Sequence, residues 1–216
     1  MIDTRRVFAA LSLTGLALLG FVWLPIGEAL AQDTTATLVA KQVSLSDMAM
    51  GSIKAPVIIT EYASMSCPHC AAFGENVFPM LKSKYINTGK VRFVFREFPL
   101  DIKAAAASML ARCIGSADSE KYFGAVEALF KQQAQLMDRT TDTLKAIGKL
   151  NGMSEQEVET CVKDQALLDK LAADQRYALA TLKVDSTPTF FVNGERLTGA
   201  MSFEELEARI KPLLKK

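Results

Sequence analysis

Three short stretches of the chain have the apolar, β-branched pattern of buried strands. Residues 56–63, PVIITEYA, form an almost continuous apolar run, and residues 91–98, VRFVFREF, alternate imperfectly. Residues 189–192, TFFV, form the third stretch, and the Asn-Gly pair that follows them is typical of a two-residue hairpin turn. We therefore predict two main strands and, much later in the chain, a hairpin whose return strand covers residues 196–198.

Helical periodicity dominates the remaining sequence. Residues 68–85 have the pattern of one helix after the first strand, and no strand signal interrupts residues 102–182. The helices predicted within that second stretch cover residues 103–114, 122–136, 143–150, 154 onward and 165–182. A capping box in which Ser202 precedes Glu205 by three positions opens a last helix over residues 202–214. This order predicts an α/β fold with a run of helices inserted between the second and third strands.

The N-terminus has the layout of a secretory signal. Arg5 and Arg6 precede an apolar run over residues 7–24, and the small residues of Ala29-Leu30-Ala31 supply a signal-peptidase exit before Gln32. We predict cleavage between Ala31 and Gln32, on either the general or the twin-arginine export route. An uncleaved membrane anchor is the alternative, since the run approaches the ~20 residues that span a bilayer. A lipid anchor is excluded because no cysteine lies near the cleavage site.

Charge and cysteine content narrow the function. The chain has 25 basic and 24 acidic residues and a formal net charge of +1, so no basic excess indicates nucleic-acid binding. All four cysteines follow the predicted cleavage site. Export would therefore deliver them to an oxidising compartment, where disulfide chemistry is expected.

The segment Cys67-Pro68-His69-Cys70 is the main chemical signal. Two cysteines separated by two residues are typical of a disulfide-exchange site. Pro68 suits the first helical position, which places Cys67 at a helix N-terminus where the dipole favours a thiolate. His69, the only histidine, would stabilise the same charge, and Cys70 would resolve a mixed disulfide. Half of a zinc site is the alternative, but a closed site needs about four ligands, so we predict no metal.

Three further residues carry weaker signals. Glu61 lies within the first apolar strand, and the pattern leaves open whether its side chain is buried or faces outward. Cys113 and Cys161 fall on two different predicted helices. In an exported protein they favour a second, structural disulfide, which would close a loop of about 49 residues and contribute about 4 kcal/mol in the chain-entropy model. Two buried free thiols and a second redox-active pair are the alternatives.

The chain resembles the DsbA family of bacterial periplasmic thiol:disulfide oxidoreductases. The tetrapeptide at residues 67–70 matches the active-site motif of that family, and residues 187–194, TPTFFVNG, match its cis-proline segment. The resemblance implies a thioredoxin fold with an inserted helical domain. It also implies that Glu61 exchanges protons with Cys70, and that a cis bond before Pro188 brings the Thr187 backbone beside Cys67, where a substrate chain would bind. Met65-Ser66 replaces an aromatic pair found in some members.

The implied domain layout follows the same resemblance. A signal peptide covers residues 1–31 and an N-terminal segment covers residues 32–55. The thioredoxin-like domain comprises residues 56–101 and 183–216, and the inserted helical domain comprises residues 102–182.

The implied function is a periplasmic dithiol oxidase that needs no cofactor. Its substrates would be reduced exported proteins, and a membrane protein resembling DsbB would reoxidise it. A disulfide isomerase or reductase of the same compartment is the nearest alternative, and a thiol-based metal-binding module is a more distant one. Only about two dozen residues separate the predicted cleavage site from Pro56. Since that is too few for a dimerisation domain of the isomerase kind, we expect a monomer.

Overall fold

One mixed sheet organises the computed structural model, which describes residues 34–41 and 43–215. The order of its strands within the described residues is β1-β3-β2-β4-β5, and their bounds are β1 Met48–Met50, β2 Val57–Ala63, β3 Val91–Glu97, β4 Thr189–Val192 and β5 Glu195–Thr198. Strands β2 and β3 are parallel, and every other neighbouring pair is antiparallel. The strands predicted at residues 56–63, 91–98 and 189–192 are confirmed. The predicted signal peptide and its cleavage site lie outside the described residues.

The connection from β2 to β3 carries the predicted first helix, but in three pieces. Helix α2 (Pro68–Asn76) is followed by α3 (Phe78–Leu81) and by a π-helical turn over Lys82–Ile86. The prediction of one continuous helix over residues 68–85 is wrong at Val77. Pro79 explains the break, because it cannot donate a backbone hydrogen bond and its ring collides with the carbonyl four residues earlier.

Consecutive helices fill the connection from β3 to β4. Their bounds are α4 Ile102–Gly115, α5 Ser119–Lys131, α6 Gln133–Asp138, α7 Thr140–Leu150, α8 Glu155–Val162 and α9 Gln165–Ala180. The helix predicted over residues 122–136 is divided at Gln132, whose N–H contacts the carbonyls of both Ala128 and Phe130. The helix predicted from residue 154 onward is confirmed as α8, and Ser154 is its N-cap in a capping box.

The chain ends as predicted, with a hairpin and a capped helix. The turn between β4 and β5 places Asn193 at φ 46° and Gly194 at φ 91°, the left-handed backbone that an Asn-Gly turn supplies. The Asn193 side chain accepts a hydrogen bond from the Ile58 N–H at 2.7 Å, which ties the hairpin to β2. Helix α10 (Phe203–Leu213) opens with the capping box at Ser202.

The N-terminal described segment contains one helix that the sequence did not predict. Helix α1 (Thr35–Ala40) has six residues, too few to produce a periodic apolar face. The same segment contributes the short strand β1, which pairs with β3 at one edge of the sheet.

Apolar side chains cover both faces of the sheet, because successive residues of a strand point to opposite sides. Phe190 joins the larger core, which α2, α4, α5 and α10 cover, whereas Phe191 joins a smaller core with Tyr62 and residues from α1 and α9. The C-terminal end of β2 is therefore held rigidly where it leads into α2. Among the described residues, no helix combines the length and the apolar character that crossing a bilayer requires.

Candidate active site

The two cysteines of the tetrapeptide meet at the N-terminus of α2. Cys67 is the N-cap residue and Pro68 occupies the first helical position, as the sequence predicts. Both cysteines are free thiols, with Cys67 5% exposed and Cys70 fully buried. A substrate can therefore reach only Cys67, because a small part of it remains exposed whereas Cys70 is fully enclosed.

The two thiols differ sharply in acidity. The pKa of Cys67 is lowered to about 5, first by a hydrogen bond from the Cys70 thiol and then, against the effect of burial, by the Thr187 side chain and the backbone N–H groups of Cys70 and His69. The pKa of Cys70 is raised, because its hydrogen bond to Cys67, its burial and the nearby charge of Glu61 all disfavour its thiolate. The reduced site therefore carries one thiolate, on Cys67, and one thiol, on Cys70.

The proline segment lies directly against this sulfur. The peptide bond between Thr187 and Pro188 is cis, and the Cys67 thiol donates a hydrogen bond to the Thr187 carbonyl at 3.2 Å. The hydroxyl oxygen of Thr187 is buried and has no hydrogen-bond partner within the described residues. It is therefore free to donate to the sulfur when Cys67 is ionised.

Glu61 is buried beneath the dithiol. It lies in β2 between Phe95 of β3 and Phe190 of β4, and only 2% of it is exposed. Burial, followed by the charge of Cys67, raises its pKa well above the ordinary value. Of the two orientations that the sequence left open, the structure has the inward one.

Pro68 and His69 lie between the cysteines on the exposed side of the helix start. The backbone N–H of His69 contributes to the low pKa of Cys67. Within residues 34–41 and 43–215, no three His, Cys, Asp or Glu side chains gather in a position to hold a metal ion.

Sequence reasoning missed a residue that supports the loop before Cys67. The side-chain amide of Gln133, the first residue of α6, donates to the carbonyl oxygens of Met65 and Cys67 at 2.9 and 3.0 Å. The break between α5 and α6 places that amide there. An unbroken helix over residues 122–136, as the periodicity predicted, gave no reason to look for it.

A buried ionic cluster lies further along the sheet and was also missed. Glu97, at the end of β3, accepts hydrogen bonds from the Arg112 guanidinium at 2.5 and 2.6 Å and from the Tyr122 hydroxyl at 2.6 Å. These residues come from β3, α4 and α5, so the cluster joins the sheet to two of the helices that follow it. The sequence signal that could have indicated this cluster is Glu97 itself, a charged residue within an apolar strand.

The other two cysteines are far from the dithiol in sequence and join two helices. A disulfide links Cys113 of α4 to Cys161 of α8. Arg112 of the ionic cluster immediately precedes Cys113 in α4.

Taken together, an acidic thiol at a helix start, a second thiol that is fully buried and a buried carboxyl group beside them define a dithiol site suited to exchange with other disulfides. A thioredoxin family model matches residues 44–212. A Rickettsia bellii protein named as a protein-disulfide oxidoreductase is 35% identical over 155 residues, which cover 71% of this chain and 59% of that protein. A Bacillus cereus protein named as disulfide bond formation protein D is 28% identical over 181 residues, which cover 79% of this chain and 80% of the relative.

Solved structures agree with the sequence relatives. The crystal structure of Wolbachia pipientis alpha-DsbA1 superposes with a TM-score of 0.77 at 31% identity and covers 84% of this chain and 96% of that one. The chain belongs to the DsbA family of thioredoxin-fold thiol:disulfide oxidoreductases. It spans about three fifths of the length of the Rickettsia bellii relative.

Proposed function

We propose that this protein is a dithiol oxidase that introduces disulfide bonds into exported proteins. The observation that carries the proposal is the unequal acidity of the two thiols, with the pKa of Cys67 lowered to about 5 and that of Cys70 raised. A stabilised thiolate favours the reduced form of the site, and a site whose reduced form is favoured is a strong oxidant.

The first half of the reaction uses the buried acid. A substrate thiolate attacks the Cys67 sulfur of the oxidised site, so that a substrate–Cys67 bond forms and the Cys67–Cys70 bond breaks. The Cys70 sulfur leaves with the electron pair, and its raised pKa makes it a poor leaving group unless it receives a proton. Glu61, which burial keeps protonated, supplies that proton.

The second half of the reaction uses the acidic thiol of Cys67. A second substrate thiolate attacks the substrate sulfur of the mixed disulfide, and Cys67 leaves as a stable thiolate. The substrate now holds a new disulfide and the enzyme holds two reduced cysteines. The cis segment at Thr187 and Pro188 binds the extended substrate chain during this exchange, next to the sulfur that reacts.

The lowered pKa of Cys67 sets how strongly the reduced form is favoured. If the pKa of an ordinary thiol is ~8.5, lowering it to about 5 favours the reduced form at pH 7 by about a hundredfold, or roughly 60 mV. Measured against glutathione, we expect a reduction potential above about −200 mV. A potential near the about −270 mV of thioredoxin would instead make the protein a reductase.

The roles of the two cysteines have their own test. Cys70→Ser leaves an attacking thiolate with no resolving partner, so it should accumulate mixed disulfides that are visible on non-reducing gels. The matched variant Cys67→Ser leaves only a buried thiol with a raised pKa and should trap almost nothing. Equal trapping by both variants would contradict the assignment. If the protein restores activity to scrambled ribonuclease faster than it oxidises reduced ribonuclease, that result would favour the isomerase alternative.

The remaining features fit the same role. Export through the predicted signal would place the protein in the periplasm, where a membrane protein resembling DsbB would reoxidise it, and we propose that it acts as a monomer. We assign Cys113–Cys161 a structural role, since it closes a loop with a sequence separation of 48 residues and joins α4 to α8. After partial reduction, an alkylating reagent labels the cysteines that have been reduced. If Cys113 and Cys161 are labelled at the same reductant concentration as Cys67, they form a second redox pair instead.

A further inference from the structure

A large cleft lies between α2 and α3 on one side and α5 on the other. Its volume is about 920 Å³, which is within the roughly 300–1,000 Å³ of small-molecule sites. Six phenylalanines from α2, α3, α5 and β3 line it, namely Phe73, Phe78, Phe93, Phe95, Phe123 and Phe130. Neighbouring ring centroids within this set are 4.9–6.4 Å apart. Phe73, Phe93, Phe95 and Phe123 are at most 8% exposed, so the partly exposed rings of Phe78 and Phe130 are the accessible part of this aromatic wall.

The inner end of the cleft holds one polar group without a partner. Glu61 lines the cleft, is 2% exposed, and has one carboxyl oxygen with no hydrogen-bond partner among the described residues. Burial raises its pKa well above the ordinary value, so the carboxyl is a neutral acid that can donate a hydrogen bond. A buried polar group of this kind is unfavourable until something pairs with it.

The rim of the cleft does not select a charged ligand. Both signs of charge surround the opening, from Glu75, Lys82, Glu120, Glu127 and Lys131. Glu127 and Lys131 pair with each other at 2.6 Å and so neutralise one another. An anionic amphiphile would meet more carboxylates than ammonium groups at this rim, and a cation would lose its hydration on entering the apolar interior, so an uncharged molecule is the better match.

We propose that the cleft is a binding site for an uncharged, largely apolar molecule that carries an aromatic ring and a carbonyl oxygen. The ring packs on the phenylalanines, and the carbonyl oxygen accepts a hydrogen bond from Glu61. The site is separate from the surface where Cys67 meets thiol substrates, and the proposal holds whichever direction of disulfide exchange the protein favours.

Substitution of Gly124 offers a way to block the cleft with a side chain. It lines the cleft from an exposed position of α5, and a Cβ atom added there would meet no heavy atom within 4 Å. Gly124→Leu should therefore extend a side chain into the cleft from a position where the first added atom has room. Ala166→Leu, which adds a leucine side chain at an exposed position of α9, is the matched control.

The test uses the uncharged dye Nile red, which has a fused aromatic ring system and a carbonyl oxygen. We expect saturable, one-site binding of the dye to the full chain. Gly124→Leu should raise the Kd at least tenfold, with an unchanged or higher melting temperature, whereas Ala166→Leu should bind like the wild type.

A second variant isolates the carboxyl. Glu61→Gln keeps a hydrogen-bond donor and should bind the dye like the wild type, whereas Glu61→Leu keeps a similar size without the donor and should bind it more weakly. Non-saturable binding would mean that the cleft holds water only, and it would overturn the proposal. Wild-type affinity in Gly124→Leu, or in Glu61→Leu, would overturn it as well. None of these measurements uses a thiol substrate, so failure of the oxidase assignment would leave them unaffected.

Discussion

The thiol of Cys67 lies 3.2 Å from the backbone carbonyl oxygen of Thr187, although 120 residues separate the two in sequence. The same threonine therefore presents two groups with opposite effects to one sulfur. Its carbonyl oxygen accepts a hydrogen bond from the Cys67 thiol and so favours the neutral form. Its hydroxyl has no partner in this arrangement and donates to the sulfur once Cys67 is ionised, which lowers the pKa. The acidity of Cys67 depends on a side chain that lies in the second half of the fold.

Replacing that hydroxyl should weaken the oxidant. In Thr187→Val the shape is kept but the donor is lost, so we expect the pKa of Cys67 to rise from about 5 by about one to two units, since a hydrogen bond to a charged group contributes about 1.5–3 kcal/mol. Thiolate absorbance as a function of pH measures the change. Thr187→Ser keeps a hydroxyl and should stay near the wild-type value; equal shifts in both variants would rule out the hydroxyl.

The imidazole of His69 and the backbone at the start of α2 should contribute separately to the low pKa. His69→Ser removes the ring but keeps the N–H that acts on Cys67, so the pKa should settle between about 5 and the ~8.5 of a free thiol. The glutathione equilibrium of the same variant should become less oxidising. An unchanged pKa would show that the ring contributes nothing, and a value at ~8.5 would show that the backbone contributes nothing.

The stability of the reduced protein should depend on pH in a way that the oxidised protein does not share. The pKa of Cys67 is lowered in the folded state, so its contribution is complete above ~8.5, falls as the pH decreases, and is lost below about 5. Between pH 7 and pH 5 the reduced form should lose about 2 kcal/mol relative to the oxidised form. Urea unfolding of both forms across this range measures the difference. If the difference in unfolding free energy between the reduced and oxidised forms does not change with pH, the low pKa of Cys67 is contradicted.

The buried ionic cluster should matter for stability rather than for exchange. Arg112→Met leaves the carboxylate of Glu97 buried without its cation, which we expect to destabilise the fold by about 3–5 kcal/mol in urea unfolding. The double variant with Glu97→Gln removes the orphaned charge and should recover much of that loss. If the double variant is as unstable as the single one, packing rather than charge explains the effect.

Local sequence determined the elements and the chemistry of the helix start. The run at residues 56–63, the Asn-Gly turn after β4 and the capping box at Ser202 specify their structures through neighbours along the chain, which is why each was predicted correctly. The position of Cys67 at a helix N-terminus followed from Pro68 alone. Breaks within helices were harder, because the apolar periodicity that predicts a helix continues through Val77 and Gln132.

Only the tertiary structure decided what surrounds the dithiol. Whether Glu61 faces inward depends on which side of β2 meets α2, and a strand with apolar residues on both faces does not encode that side. The contacts of Cys67 with Thr187 and Gln133, and the pairing of Glu97 with Arg112 and Tyr122, join residues from separate elements. Their energies depend on distance and burial in three dimensions, and neither quantity exists until the sheet and its helices have packed together.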